Sequence, residues 1–232
     1  MTAVVPGPGA LWTASRLDRD CAHRNVLSEL TPKKSRDAAA KKGTIFHAAL
    51  KEWRDTGVVP TLADDEIAAW LAIMVDHRWD WPDGCELEVA WGLSAWGTFV
   101  AVEETEPHVY RALDGEDLLT AGRADACWVA DGVLVSCDWK TGRTMAAHAT
   151  ENLQINAAGI ALAQKWKARA YVPTLYYARA GIWQPGEEIE TASAGWGRIL
   201  DEIKVSAKLD DQPRPGPHCS NCWERKACRE AP

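Results

Sequence analysis

Two aspartates and a lysine in the middle of the chain are the residues best suited to chemistry. Asp125 ends the segment 122–125 (GRAD), and Asp138 is followed two positions later by Lys140. Two carboxylates are suitable ligands for a hard divalent cation such as Mg²⁺. A lysine beside that cation can orient or deprotonate a water molecule and neutralise charge on a phosphodiester. An ordinary ion pair would give the same Asp-x-Lys spacing, so this motif alone does not establish a catalytic site.

The predicted secondary structure brings these residues together. Two predicted strands are joined by Asp131-Gly132, a dipeptide typical of tight hairpin turns. A hairpin of this length brings Asp125 and Asp138 to one end of a sheet, and Asp138 and Lys140 share a face because they are two residues apart. Strands are predicted over 86–91, 98–102, 118–130, 133–139 and 171–179, and helices over 13–30, 37–53, 64–79, 145–167 and 187–209.

The composition is that of a globular protein. The 232 residues are 47% hydrophobic and 25% charged, which suits one large domain that buries roughly 70% of its unfolded surface. The net charge of -7 argues against a protein that binds polyanions over its whole surface. Residues 1–15 are uncharged but broken by prolines and glycines, so neither a signal peptide nor a membrane span is expected. We therefore expect a cytoplasmic protein.

Further polar residues occur in a definite order around the hairpin. Gly43 and His47 lie on the second predicted helix, Glu86 and Glu88 on the strand before the hairpin, and Gln154 on the helix after it. In this order the sequence resembles the RecB-like exonucleases of the PD-(D/E)xK superfamily, whose signatures are Gly-x-x-x-His, a glutamate-bearing strand, Gly-x-x-Asp, Asp-hydrophobic-Lys and Gln-x-x-x-Tyr. More narrowly, it is similar to the iron-sulfur branch, which includes CRISPR-associated and phage-encoded single-domain nucleases and the AddB nuclease domain.

The resemblance implies a fold. We expect an α/β protein with a restriction-endonuclease-like core in the order α-β-β-β-α-β, in which a mixed sheet is flanked by helices. N-terminal helices and a C-terminal cysteine-rich segment would be added to this core. Residues 1–232 would form a single nuclease domain, within which 13–30 and 213–232 make a cysteine-ligated metal-cluster subdomain.

The resemblance also implies roles for individual residues. Lys140 would act on the attacking water, and Gln154 would position Lys140 or the scissile phosphate. The tyrosine expected four residues after Gln154 is Ala158 here, a departure that affects a substrate contact rather than the metal site. A histidine satisfied within the core is the other explanation of His47. The implied ligands of Mg²⁺ or Mn²⁺ are His47, Asp125, Asp138 and the backbone carbonyl of Trp139.

A cysteine cluster near the C-terminus indicates a second metal site. Cys219, Cys222 and Cys228 have C-x2-C-x5-C spacing, which in a reducing compartment favours metal binding over disulfides. His218 and a distant cysteine are candidates for the fourth ligand, and the iron-sulfur nucleases imply Cys21. We expect a [4Fe-4S] cluster, with structural Zn²⁺ as the alternative. The remaining cysteines lie singly in apolar runs and are expected to be small buried side chains: Cys85, Cys127 and Cys137.

A short basic strip interrupts the otherwise acidic chain. Residues 31–42 carry five basic side chains and one aspartate, a net charge of +4. Solvated helix faces explain such charges as well as a nucleic-acid groove does. Among the 13 tryptophans, the one between the last two clustered cysteines is the best candidate to stack on an unpaired base. The candidate nucleic-acid contacts are Lys33, Lys34, Arg36, Lys41, Lys42 and Trp223.

These features predict a metal-dependent DNA exonuclease that hydrolyses single strands or frayed ends and contains a structural iron-sulfur cluster. By resemblance, its partners would be DNA and proteins of a CRISPR-adaptation, phage-recombination or repair complex, in a bacterial, archaeal or phage-infected cell. The alternative is a catalytically weak or inactive metal-stapled subunit that binds nucleic acid or supports assembly. Ala158 and the acidic net charge favour that alternative. A zinc protein with no nucleic-acid role is a third hypothesis.

Overall fold

The computed structural model describes residues 37–77, 80–106, 109–142 and 148–207. The predicted helix 13–30 and the cysteine-bearing segment 213–232 lie outside these ranges, so the metal-cluster subdomain stays a prediction. The α-helices within the described ranges are α1 (Asp37–Thr56), α2 (Asp65–Asp76), α3 (Leu153–Lys165) and α4 (Ala194–Ala207).

The strands of the described residues form one large mixed sheet and one separate hairpin. They are β1 (Glu86–Ser94), β2 (Phe99–Val100), β3 (Val102–Glu106), β4 (Val109–Ala112), β5 (Leu118–Ala130), β6 (Val133–Lys140), β7 (Ala170–Tyr177), β8 (Ile182–Pro185) and β9 (Ile189–Glu190). The large sheet has the order β2-β1-β5-β6-β7-β8, with β9 also paired to β7, and the hairpin is β3-β4. Strands β6 and β7 are parallel, and the other neighbours are antiparallel. The predicted α/β fold with a mixed sheet flanked by helices is confirmed.

The central hairpin of the sheet forms at the predicted turn. Asp131 and Gly132 both have positive φ angles, 51° and 76°, the conformation of a two-residue turn that matches strand twist. Ala130 pairs with Val133 on either side of it. The turn therefore fixes the register of β5 and β6, which carry Asp125, Asp138 and Lys140.

Helix α3 covers one face of the sheet and connects the parallel strands β6 and β7. Parallel neighbours need such a crossover because the end of β6 and the start of β7 lie at opposite ends of the sheet. The helix lies very close to β7 at Gly159, where a Cβ atom would be 2.2 Å from the ring of Tyr171. The core on this face also includes Val89, Ala124 and Leu134.

Helices α1 and α2 cover the other face. Their apolar side chains, among them Phe46 and Trp70, pack against Trp139 of β6. Many of the tryptophans lie in or against the two cores, while Trp79 lies outside the described residues. Those in or against the cores include Trp53, Trp70, Trp91, Trp128 and Trp166. Trp96, by contrast, is 86% exposed.

Several element boundaries differ from the prediction for local reasons. The helix predicted over 145–167 begins at Leu153, because the Asn152 side chain accepts hydrogen bonds from the first free N–H groups. The helix predicted over 187–209 begins at Ala194, because β9 first pairs with β7. Strands β3, β4 and β8 were not predicted, since they are short and β3 (VEETE) is mostly charged. Among the described helices, none has a stretch long and apolar enough to cross a membrane.

Candidate functional site

In strands β1 and β5, the regular alternation of side chains between the two faces of the sheet is interrupted at the same point. Leu87 packs with the α1–α2 core, whereas Val89 belongs to the core under α3. Residues two apart in a regular strand share a face, so the alternation is broken at Glu88, whose φ angle is 56°. On β5, Ala124 and Ala126 likewise belong to opposite cores. The sheet is therefore locally irregular, and the residue at the irregular position is acidic on both strands: Glu88 on β1 and Asp125 on β5.

His47 of α1 meets these two acidic side chains. Its Nδ1 atom lies 3.5 Å from Glu88 Oε1 and 3.5 Å from Asp125 Oδ1. One possible ligand atom from each of the three residues lies within 4.8 Å of the other two. The three side chains are 25%, 19% and 13% exposed, so solvent reaches the cluster. We refer to His47, Glu88 and Asp125 as the donor cluster.

The backbone of Trp139 holds two members of the donor cluster. Its N–H donates to Asp125 Oδ2 at 2.6 Å, and its carbonyl oxygen lies 3.4 Å from His47 Nε2. The indole ring meets the His47 imidazole edge to face, with ring centroids 5.4 Å apart. The carbonyl therefore faces one imidazole nitrogen, while the carboxylates face the other.

Asp138 and Lys140 form the second half of the site. Lys140 Nζ lies 2.7 Å from Asp138 Oδ2 and donates to Gln154 Oε1 at 3.3 Å. Gln154 is in the first turn of α3, where its own N–H is capped by the side chain of Asn152. The helix start thus fixes the residue that accepts from the lysine.

The charges at the site are strongly coupled. Burial raises the pKa of Asp125 to about 7. The nearby His47 lowers this pKa, and the nearby Asp138 raises it. Burial lowers the pKa of His47, but Asp125 and then Glu88 outweigh it and raise this pKa to about 9. Burial also lowers the pKa of Lys140, and Asp138 and then Asp125 more than reverse that effect. Protons on His47 or Asp125 therefore compensate part of the carboxylate charge of the cluster.

A polar network joins helix α2 and the end of β6, next to Gly43 of helix α1. A Cβ atom at Gly43 would lie 3.1 Å from Thr141 Oγ1, so the glycine permits a close approach. Arg179 Nε donates to the Thr141 carbonyl at 2.9 Å. The Arg179 guanidinium also pairs with Glu66 and lies 4.4 Å from the centre of the Trp70 ring. The close approach of Thr141 to helix α1 explains why the residue one helical turn before His47 is a glycine.

Only part of the predicted basic strip lies within the described residues. Lys41 is exposed. Lys42 instead lies 3.0 Å from Asp64 and 2.7 Å from Glu66, so acidic side chains of the same protein neutralise it. The other candidate nucleic-acid contacts lie outside the described residues: Lys33, Lys34, Arg36 and Trp223.

Among the predicted nuclease-site residues, the structure brings His47 and Asp125 together at the Trp139 backbone, and it places Asp138 beside Lys140 and Gln154 rather than within the donor cluster. It also distinguishes the two glutamates. Glu88 joins the donor cluster, whereas Glu86 is exposed and pairs with Cys127 across the strands. The sequence could not separate them because regular alternation puts both on one face. The three single cysteines are buried as predicted: Cys85, Cys127 and Cys137. The four candidate cluster ligands lie outside the described residues: Cys21, Cys219, Cys222 and Cys228.

The family model of the PD-(D/E)XK nuclease superfamily matches residues 14–229. The chain therefore belongs to this superfamily, whose members are nucleases that use divalent metals. A search of curated proteins found no match. Among solved structures, that of SSO0001 is similar, with 13% sequence identity and a TM-score of 0.46, over 97% of this chain and 88% of that chain.

Proposed function

We propose that this protein is a metal-dependent DNA exonuclease that hydrolyses phosphodiester bonds of single strands or frayed ends. The observation that carries the proposal is the donor cluster placed beside the Asp138–Lys140–Gln154 chain. Membership of the PD-(D/E)XK superfamily supports the nuclease activity. The choice of DNA and of exonucleolytic cleavage rests on the resemblance to RecB-like enzymes.

The donor cluster has suitable chemistry for Mg²⁺ or Mn²⁺. It offers one imidazole nitrogen and two carboxylates, all partly accessible, and carboxylate oxygens are the protein ligands that these hard cations prefer. If His47 coordinates through Nδ1, its Nε2–H donates to the Trp139 carbonyl, which then orients the ring. Asp138 would complete the set from the Lys140 side. A cation held there would stabilise negative charge that develops on the phosphate.

Lys140 would act as an ammonium group. Its pKa is raised by Asp138 and Asp125 against the lowering effect of burial, so the side chain stays charged near neutral pH. A charge at this position would favour deprotonation of a nearby attacking water and stabilise the pentavalent phosphate. Asp138 and Gln154 hold the Nζ atom between them, which fixes the direction of its remaining proton.

The test is digestion of end-labelled single-stranded DNA in the presence of Mg²⁺ or Mn²⁺. Lys140→Ala should lower the cleavage rate by about 100-fold or more, as removal of a positioned group in proton transfer does. Lys204→Ala is the matched control, because Lys204 is a partly exposed lysine on α4, which packs on the opposite face of the sheet from the helix that carries His47. Undiminished digestion by the Lys140→Ala protein would contradict the mechanism. Salt-dependent DNA binding without cleavage, across several metals, would instead favour the inactive binding subunit suggested by Ala158.

We further propose a [4Fe-4S] cluster on the four candidate cysteines, within a single nuclease domain. The C-x2-C-x5-C spacing and the resemblance to the iron-sulfur nucleases support it. Anaerobically purified full-length protein should be brown, with a broad absorbance band near ~400 nm and bound iron. Stoichiometric zinc without iron would contradict the cluster and leave the nuclease proposal intact. A role in CRISPR adaptation, recombination or repair rests on the same resemblance.

A further inference from the structure

Arg123 lies beside the donor cluster and contacts it through Glu88 alone. It is on β5, two residues before Asp125, and pairs across the strands with Ala90 of β1. Its Nε contacts Glu88 Oε2, while Glu88 Oε1 faces His47. We propose that Arg123 is a positioning residue, which holds one oxygen of Glu88 so that the other points into the metal site. The inference rests on the proposed function of the donor cluster.

Glu88 needs such a partner because its environment disfavours the inward orientation. Its backbone has a φ angle of 56°, which costs an ordinary L-residue about 1–2 kcal/mol. Its carboxylate also lies near Asp125, whose pKa it helps to raise. In the absence of an opposing charge, like-charge repulsion would turn a side chain that is 19% exposed towards solvent. His47 at one oxygen and the guanidinium at the other offset that repulsion, and together they fix the carboxylate in one direction.

The separate β3–β4 hairpin holds Arg123 in turn. Glu104 of β3 accepts from Arg123 Nη1 at 3.1 Å, and this glutamate is 22% exposed. The guanidinium therefore spans two carboxylates, one on the hairpin and one in the donor cluster. A two-stranded sheet outside the main sheet is thus connected to the metal site by one side chain.

Two effects of Arg123 on metal binding have opposite signs. Its positive charge repels a cation, so removal of the charge alone would tighten binding. Its contact with Glu88 pre-organises a ligand, so removal of the contact would weaken binding. Because Arg123 is 39% exposed, solvent screens its charge. Loss of a group that orients a metal ligand commonly costs about 10-fold or more in affinity, so we expect the positioning effect to dominate.

The experiment is a titration of full-length protein, freed of divalent cations by EDTA, with Mn²⁺, in which the EPR signal of free Mn²⁺ reports binding without any activity. Arg123→Gln should weaken Mn²⁺ binding by about 10-fold. Arg111→Gln is the matched control, because Arg111 pairs with Glu103 on the same hairpin and is 72% exposed. The control removes the same charge and should leave the affinity within about twofold.

The outcomes are distinct. Equal or tighter Mn²⁺ binding by folded Arg123→Gln overturns the positioning role. Absence of Mn²⁺ binding by the wild-type protein overturns the proposed metal site itself. If urea unfolding shows that Arg123→Gln does not fold, Glu104→Gln replaces it, since this variant keeps the guanidinium and only loosens it. Glu104→Gln keeps an acceptor but loses the charge that strengthens the contact with Arg123, so it should weaken binding by roughly threefold, and an unchanged affinity contradicts the inference.

Discussion

Glu88 and Asp125 occupy facing positions on neighbouring antiparallel strands, at the point where both strands exchange faces. The pairs Leu87–Ala126 and Val89–Ala124 frame them on either side. Oxygens of both carboxylates lie 3.5 Å from one imidazole nitrogen. The irregularity in the sheet therefore directs two charges from different strands towards a single point.

The backbone at Glu88 should be strained in a measurable way. Glu88→Gly and Glu88→Ala both remove the carboxylate and differ only in the Cβ atom. Since the φ angle of 56° suits glycine, the Gly variant should have the higher free energy of unfolding, by about 1 kcal/mol. Urea denaturation of the two metal-free variants gives the difference.

The control for that comparison is Ala90→Gly, two residues further along β1. At an ordinary strand position, glycine costs about 0.5–1 kcal/mol relative to alanine, so the sign of the effect should reverse. If glycine destabilises at both positions, the backbone at residue 88 is not strained.

Stability of the metal-free protein should fall as pH rises through the range in which the donor cluster loses protons. The pKa of His47 is raised from 6.5 to about 9, so its stabilising charge is complete below pH 6.5 and is lost as pH approaches 9. The pKa of Asp125, raised from 3.8 to about 7, acts in the same direction at lower pH. The free energy of unfolding in EDTA should therefore decrease by more than about 1 kcal/mol from pH 6.5 to pH 9.

The double variant His47→Gln/Asp125→Asn removes both titrating groups and should show a smaller decrease over the same range. Both substitutions are needed, because a proton lost from one group can be taken up by the other. His77→Gln, at an exposed histidine after the end of α2, should keep the wild-type slope. Equal slopes for the double variant and the wild type would show that the cluster does not control this pH dependence.

Gln154 should contribute to the rate through its contact with Lys140. Gln154→Leu removes the acceptor of the 3.3 Å hydrogen bond from Nζ and should slow cleavage roughly tenfold, because a hydrogen bond to a charged group contributes about 1.5 kcal/mol. Gln154→Glu retains an acceptor and should keep most of the activity. Measured KM for single-stranded DNA should change little in either variant. A wild-type cleavage rate of the Gln154→Leu variant would show that Gln154 does not contribute to the mechanism.

Two helical glycines provide a matched test of packing. Gly159→Ala places a Cβ atom 2.2 Å from the Tyr171 ring, and the overpacking should destabilise the protein by about 1–3 kcal/mol. At Gly197 of α4 there is nothing within 4 Å of the added atom. Gly197→Ala should therefore stabilise the protein by roughly 0.5–1 kcal/mol through helix propensity. Thermal unfolding of both variants checks the opposite signs.

Local signals in the sequence were sufficient to predict the central hairpin and the order of the core elements. Asp131-Gly132 specifies its own turn geometry, and the apolar residues on either side alternate as a sheet requires. The motifs around Asp125 and Asp138 could be placed at one end of the sheet for the same reason. These features depend on neighbouring residues and not on contacts made far along the chain.

The remaining features depend on tertiary contacts that spacing does not encode. The reversal at Glu88 results from packing on both faces of β1, so a regular strand pattern could not distinguish it from Glu86. Lys42 belongs to the predicted basic strip, yet its partners Asp64 and Glu66 lie at the start of the next helix. A basic residue can be assigned to a nucleic-acid surface only after its intramolecular partners are known.

The donor cluster joins the two layers of the protein, because His47 comes from helix α1 and its carboxylate partners from the sheet. A cation bound there would act as a cross-link between the helical layer and the strands. Local opening of α1 would separate the imidazole from the carboxylates while leaving Asp138 and Lys140 in the sheet. Occupancy of the site would therefore slow amide exchange in α1 more than in β6, and undocking of this one helix would remove one protein ligand and weaken the hold on the ion.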